Sequence, residues 1–345
     1  MGIKNFHTFM RKKAPNSYKK VELSILSGKR IAIDTSIFMC RYKSSLGYKW
    51  MSGFYTLIYK LISNNIHFIF VFDGKAPPEK DKEREERMIN RAKVKNKISN
   101  ILEDWYKFSE DSNNHEKSLS IHDFENYKSL FEYLKKLKQN EMFTYNEISI
   151  KMMKMGKNLV PITKEDFNLL MDMFSQMNIQ YMVAVDNQEA ESLCVLLNKK
   201  DIVDSILTED TDVIAYGCKE MFFNLDLKRG HLDSIQMDSL LMELNLTYTQ
   251  LKDFCIMCGN DYNKNIHLVG PCKSYELIQE CKTLETITEK LDTRDLNFVV
   301  GRTLFDCERF SDSLIISSIR DSSEVKVDTL ETKKFLFKNN IKLLF

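Results

Sequence analysis

The chemistry this chain could do is concentrated in residues 186–212, DNQEAESLCVLLNKKDIVDSILTEDTD. The stretch holds two pairs of carboxylates, Glu189 with Glu191 and Asp210 with Asp212, each pair split by one residue. Acids brought together repel one another unless a cation neutralises them, and hard, oxygen-seeking Mg²⁺ suits such ligands. Taken singly, either pair reads more simply as ordinary helix-start or turn acids, because Asp and Glu favour those places. The rest of the chain changes that balance.

Between the pairs runs a helical spacing, Ala190, Leu193, Cys194 and Leu197, then a short apolar strand at 202–207. The first pair therefore opens a helix. The second lies just past the C-terminal end of a strand, the edge of an open α/β sheet where ligands bind. Two further strands end in acids. Residues 28–34, GKRIAID, end at Asp34, and 67–73, HFIFVFD, end at Asp73. The latter is a continuous apolar run of the buried, parallel-sheet type. A helical period (Met51, Phe54, Tyr55, Ile58, Leu61, Ile62) separates them. This alternation predicts an α/β fold with right-handed crossovers, and it brings Asp34, Asp73, Asp210 and Asp212 to one sheet edge. That convergence is the signal for a metal centre.

The 345 residues suffice for one large α/β domain or two smaller ones. Hydrophobic content of 43% and charged content of 29% are those of a soluble globular protein. No apolar run is long enough to span a membrane and no signal-peptide core is present, so an intracellular protein, nuclear or cytoplasmic, is expected, with no membrane association. Eight cysteines without a secretory signal point to reduced thiols. Cys255-x-x-Cys258, with Cys272 and Cys281 beyond, could hold zinc. Its place in an apolar helical run (Leu251, Phe254, Ile256, Met257) and the irregular later spacing favour buried free thiols. No G-x-G-x-x-G follows a strand, which leaves a nucleotide-binding oxidoreductase without support. Net charge of +1 says nothing about nucleic acid; the placement of charge does.

That placement is uneven. Residues 75–97 read KAPPEKDKEREERMINRAKVKNK, and Lys80, Arg84, Arg87 and Arg91 fall on one face of a helix. A lone helix of this kind is usually solvated and laced with ion pairs such as Glu83 to Arg87. Directly after an acid-tipped strand it reads instead as a phosphate-binding face. Residues 109–120 are polar and unpatterned, a predicted loop; 124–137 resume helical spacing, and all of 75–160 reads as an excursion from the sheet. Thr163 with Asp166 approximates a capping box. A strand is expected at 180–185 and a hairpin at 220–235 around Lys228-Arg229-Gly230. Helices at 249–259 and 273–281 flank a loop holding Asn260-Asp261-Tyr262 and Val269-Gly270-Pro271. Helix, glycine-bearing loop and helix together offer backbone N–H groups to a phosphate.

With those residues laid out, the chain resembles the flap endonuclease / XPG (Rad2-type) family of structure-specific 5′ nucleases. The segments that carry the resemblance are MGI at the start, AIDTS around Asp34, VFDGKAPP around Asp73, EAESLC at Glu189 and Glu191, TEDTD at Asp210 and Asp212, and GNDY followed by VGP around Asp261 and Gly270. Each is short; all six in this order are specific.

The resemblance implies a PIN-like, mostly parallel central sheet flanked by helices, with a helical arch insertion and a helix–turn–helix element that grips duplex. It divides one catalytic domain into residues 1–108 (arch from about 75), a variable arch or cap insertion at 109–160, and 161–345 with the helix–turn–helix at about 250–285. It makes Asp34, Asp73, Glu189, Glu191, Asp210, Asp212 and Asp261 the metal-site acids, holding two Mg²⁺ ions for which Mn²⁺ substitutes. Lys80 and Arg87 become the basic pair at the scissile phosphate. Gly2, Arg84, Arg91, Gly270 and Lys273 become DNA contacts, with K⁺ at the helix–turn–helix. The implied activity is Mg²⁺-dependent cleavage of DNA at 5′ flaps or other duplex/single-strand junctions, in replication, repair or recombination, by a monomer acting on branched or flapped DNA. Two alternatives stand beside it: an inactive DNA-binding scaffold of the same fold, and a relative preferring four-way junctions or recessed ends.

Several positions depart from the family pattern. Leu268 stands where a glycine is expected, which bears on the K⁺ site. Cys40 stands where a base-stacking aromatic is expected, with Phe38 and Tyr42 as nearby candidates. The stretch between Asp73 and Glu189 is long, and no sliding-clamp motif of the Q-x-x-(L/I/M)-x-x-aromatic-aromatic type is evident near the C-terminus. These features point to a divergent or viral member.

Overall fold

A computed structural model describes residues 2–111, 118–137, 142–157, 159–293, 296–313 and 324–345. Its strands are β1 (Tyr18–Glu22), β2 (Arg30–Asp34), β3 (His67–Phe72), β4 (Ser118–Ser120), β5 (Met142–Thr144), β6 (Tyr181–Val183), β7 (Ser205–Leu207), β8 (Glu220–Asp226) and β9 (His231–Gln236). Seven form one sheet in the order β1-β9-β8-β7-β2-β3-β6. From β8 to β6 every pairing is parallel; β8 with β9 and β9 with β1 are antiparallel. The three strands with acids at or just beyond their ends, β7, β2 and β3, are adjacent, so their C-terminal ends open on one edge.

Alternation along the strands divides the core between two faces. Ala32, Ile69, Val71 and Ile206 face one cluster with Leu193, Leu197 and Phe254. Ile31, Ile33, Phe68, Phe70, Phe72 and Leu207 face the other with Phe54, Leu57 and Phe174. Burial on both sides explains why β3 carries no polar residue after His67. Phe70 stacks on Phe174, with ring centroids 4.4 Å apart. The helices covering these faces include Thr35–Leu46, Trp50–Ser63, Lys164–Gln176 and Ala190–Lys199. The Thr163–Asp166 capping box is present, Thr163 N–H donating to Asp166 at 2.7 Å. No described helix is long and apolar enough to cross a membrane.

The region beyond Asp73 is built differently. One helix runs from Asp81 to Asp111. Its first two-thirds are exposed, whereas Ile101, Leu102, Trp105 and Phe108 enter a third core cluster with Phe124, Leu130, Leu134, Ile148 and Met152. That cluster belongs to helices Lys128–Lys136 and Tyr145–Lys157 and the β4–β5 pair. Asp104 accepts the free N–H groups of Ser129 and Leu130, fixing one helix against the other. The stretch predicted as a loop at 109–120 instead ends the long helix at Asp111 and begins β4 at Ser118; 112–117 lie outside the described residues. A polar sequence concealed both, because the helix is held by its apolar face only every third or fourth residue.

Three further expectations are corrected here. Phe38 and Tyr42 are core residues, Tyr42 packing edge-on to Phe54 at 5.2 Å, so neither is presented for stacking on a base. Cys255, Cys258 and Cys281 are buried free thiols, but Cys272 is exposed. Lys80 does not share the face of Arg84 and Arg91: Pro77 and Pro78 produce a short 3₁₀ turn, Pro78–Lys80, before the helix begins. That turn sends Lys80 inward, where it is buried, while Arg84 and Arg91 stay exposed.

Candidate metal centre

Asp34 is the last residue of β2 and caps the following helix, accepting Ile37 N–H at 3.4 Å. Its other oxygen accepts the Thr208 hydroxyl at 3.0 Å, and Thr208 also accepts Asp210 N–H at 3.0 Å. Asp210 in turn accepts Asp212 N–H at 3.0 Å. The turn after β7 is thus wound by its own side chains so that Asp210 and Asp212 face inward. Across the sheet edge, the exposed Asp73 accepts Ala190 N–H at 2.9 Å and satisfies one free donor of the helix that carries Glu191.

Glu191, Asp210 and Asp212 come together, each offering an oxygen within 4.8 Å of the others, and all three are buried. Among the described residues, neither carboxylate oxygen of Asp212 has a hydrogen-bond partner although the residue is fully enclosed. An unpartnered buried carboxylate is costly. Burial drives the Asp34 carboxyl up to about 8, with the charges of Asp73 and Asp210 adding to the effect. Burial likewise raises Glu191, Asp210 and Asp212, and like charge adds to it: Glu189 acts on Glu191, and Asp210 acts on Asp212. A set of oxygen donors this close, dry and mutually repelling fits a divalent cation.

The opposite wall is basic. Lys80 Nζ lies 2.6 Å from Glu189, 3.1 Å from Asp261 and 3.8 Å from Glu191. Burial opposes its charge, but Glu191, Glu189 and Asp261 outweigh burial and hold the ammonium protonated. Arg87 donates to the second oxygen of Asp261 at 2.6 Å and also pairs with Glu83. Asp261 therefore bridges Lys80 of the 3₁₀ turn and Arg87 of the long helix. Arg84 pairs with Asp81 at 3.5 Å in solvent.

The structure puts Asp34, Asp73, Glu189, Glu191, Asp210, Asp212, Asp261, Lys80 and Arg87 around this edge, and it brings Gly2 there too. A Cβ on Gly2 would lie 2.2 Å from Asp210 Oδ1 and 2.8 Å from Asp212 N, and the residue has φ +85°. Ile3 N–H donates to the Thr211 hydroxyl at 2.8 Å. Gly270 and Lys273 sit elsewhere, in the helix–loop–helix formed by Tyr248–Cys258 and Pro271–Cys281. Gly270 caps the second helix with an ordinary φ of −94°, and Lys273 is exposed, 3.4 Å from Glu276. In the loop between, Leu268 has φ +60° and is 88% exposed. Val269 N–H donates to Ile266 C=O at 3.0 Å, closing a turn whose third residue is Leu268. The position keeps a glycine's backbone geometry with a leucine in it.

Two residues of the edge escaped the sequence reading. Tyr262 donates its hydroxyl to Glu189, and Tyr216 lies 3.0 Å from the Tyr262 hydroxyl. An aromatic in an apolar context reads as core, and Tyr216 is core; only the adjacency of Tyr262 to Asp261 could have marked it.

Comparison with known proteins places this arrangement. The fold is that of PIN-like nucleases: the catalytic core of Rad2 solved with a DNA substrate matches with a TM-score of 0.61 at 18% identity, over 98% of this chain and 95% of that one. Flap endonuclease-1 from Methanococcus jannaschii matches at 0.53 and 19% identity, over 93% and 96%. The XPG N-terminal domain model covers residues 1–94 and the XPG I-region model 178–261. A probable RAD2-like endonuclease of Invertebrate iridescent virus 6 is 33% identical over 317 residues, covering 85% of this chain and 74% of the relative. A second, from Invertebrate iridescent virus 3, is 33% identical over 88% of this chain and 85% of the relative. Flap endonuclease 1 of Plasmodium vivax is 28% identical over 98% of this chain, which spans about half of that longer protein (52%). The chain belongs to the XPG/Rad2-type nuclease family.

Proposed function

We propose that the protein is a Mg²⁺-dependent phosphodiesterase that cuts DNA where duplex meets a 5′ single strand, with a 5′ flap as preferred substrate. Such branched intermediates arise in replication, repair and recombination. The observation that carries the reading is Asp212, whose two buried oxygens lack hydrogen-bond partners among the described residues and lie beside Glu191 and Asp210. Glu191, Asp210 and Asp212 would hold one ion, with Asp34 and Asp73 on the adjoining side of the edge available to a second. When bound, two such ions supply a hydroxide nucleophile at neutral pH and stabilise the leaving oxygen of an in-line displacement.

The chain's own groups do the rest. Arg87 on the long helix and Lys80 in the turn before it face the acids and would hold the scissile phosphate, neutralising charge as it develops. Lys80 can do so only by exchanging carboxylate partners for phosphate oxygens, since in this structure its ammonium is committed to Glu189 and Asp261. The helix–loop–helix would follow the duplex backbone, a contact that specifies shape rather than sequence.

A labelled panel tests the reading: 5′ flap, nicked duplex, recessed 5′ end, bubble and four-way junction, each with Mg²⁺, with Mn²⁺, with EDTA, and with Asp212→Ala. Metal-dependent cutting of the flap, lost in the variant, is expected. Tight binding with no cutting on any substrate would leave a DNA-binding scaffold.

A further inference from the structure

Glu189 is the odd member of the acid edge. Its neighbour Glu191 turns toward Asp210 and Asp212, whereas both oxygens of Glu189 are already engaged. Oε1 accepts Lys80 at 2.6 Å and Oε2 accepts the Tyr262 hydroxyl. Because Tyr262 donates to Glu189, the Tyr216 hydroxyl 3.0 Å away must donate to Tyr262. The chain of donors therefore runs one way, from the core to the carboxylate.

Tyr262 makes a second contact with its ring. The Lys80 ammonium stands 4.9 Å from the ring centroid, a cation–π distance. The ring is itself fixed: Phe305 meets it edge-on at 5.4 Å and meets Tyr216 edge-on at 5.1 Å. The backbone is fixed as well, Tyr262 N–H donating to Asn260 Oδ1 at 2.8 Å. One side chain thus touches an acid and the cation that faces it, and rigid neighbours hold that side chain in place.

We infer that Tyr262 is a positioning residue that assigns the two glutamates different tasks. Its hydroxyl holds Glu189 as the seat of Lys80, and its ring backs the ammonium. Glu191 is thereby left free to join Asp210 and Asp212 as the cation cradle. Without the hydroxyl, Glu189 can rotate into the cradle as a further charge and Lys80 loses its fixed height above the acids. This inference rests on the metal-dependent reading above.

The test uses the full chain with Tyr262→Phe, Tyr262→Leu, Tyr216→Phe and, as an off-site control, Tyr248→Phe, which removes a hydroxyl bonded to Ala215 C=O at 2.9 Å. Mn²⁺ binding to the DNA-free protein is measured by calorimetry, flap affinity by titration, and cleavage by single-turnover kinetics. Tyr262→Phe should weaken Mn²⁺ binding and slow cleavage by about tenfold each, the usual scale for a group that orients a ligand, with flap affinity unchanged. Tyr262→Leu, which also removes the ring, should slow cleavage further. Tyr216→Phe should act in the same direction but less, and Tyr248→Phe should move neither quantity. Mn²⁺ affinity and rate equal to wild type in Tyr262→Phe would overturn the inference, as would loss of melting temperature alone to the extent seen in Tyr248→Phe. A wild-type protein that neither binds Mn²⁺ nor cuts would instead overturn the metal-dependent reading itself.

Discussion

The acid edge and the tip of the helix–loop–helix both hold local structure that is unfavourable by itself, and they hold it differently. At the edge the unfavourable term is electrostatic: carboxylates are buried beside one another, and Asp212 lacks partners among the described residues. At the loop tip it is conformational, because Leu268 occupies a backbone region that costs an L-residue about 1–2 kcal/mol. A bound cation can relieve the first. Only substitution can relieve the second. Buried charge without a partner therefore points to a missing ligand, whereas strain at an exposed leucine by itself points to none.

The largest effect should come from Asp212→Ala. Cleavage should fall by at least about a hundredfold while flap binding is kept, and in EDTA the variant should melt above the wild type because a repelling charge is gone. Retained cleavage, or a lower melting temperature in EDTA, would break the electrostatic half of the comparison. Arg87→Ala comes next. Single-turnover cleavage should slow by about a hundredfold with little change in affinity, as expected for a group acting on developing charge. Equal losses in rate and affinity would make Arg87 a docking residue.

The pH dependence sharpens the same half. The folded-state value of Asp34, about 8, lies above the ordinary 3.8, so its contribution to stability is full below pH 3.8 and is lost as pH rises towards 8. Asp34→Asn in EDTA should therefore match the wild type near pH 4 and melt progressively higher than it up to pH 9, the gap closing when Mg²⁺ is added. A pH-independent gap in thermal melts would refute the assignment. The smallest effect belongs to the loop: Leu268→Gly should raise stability to denaturant by about 1 kcal/mol, in Mg²⁺ and EDTA alike. A gain that depended on the metal would merge the two regions into one.

Much of this was legible in the chain itself. HFIFVFD could only be a strand buried on both faces and tipped with an acid, and the Ala190–Leu197 period had to be a helix starting beside Glu189. Three adjacent parallel strands then oblige Asp34, Asp73 and the 210–212 turn to converge. What was hidden depends on angles that periodicity does not encode. The prolines at 77 and 78 displace Lys80 from the helical face by a 3₁₀ turn, converting a surface cation into a buried one. Phe38 and Tyr42 have the spacing of exposed or buried residues alike, and only the packing of Phe54 decides between them. The short β4–β5 pair, three residues each, is too brief to leave a period.

The helix Asp81–Asp111 is anchored at both ends but scarcely in the middle. Near its start Arg87 is pinned to Asp261; its last turns are embedded in the Trp105 and Phe108 cluster. Its 31 residues make a rod about 46 Å long at 1.5 Å per residue. A rod held this way behaves as a lever. Tilting the cluster packed on its far end by a few degrees would shift the guanidinium over the acids by ångströms, so events far from the carboxylates can be felt there mechanically.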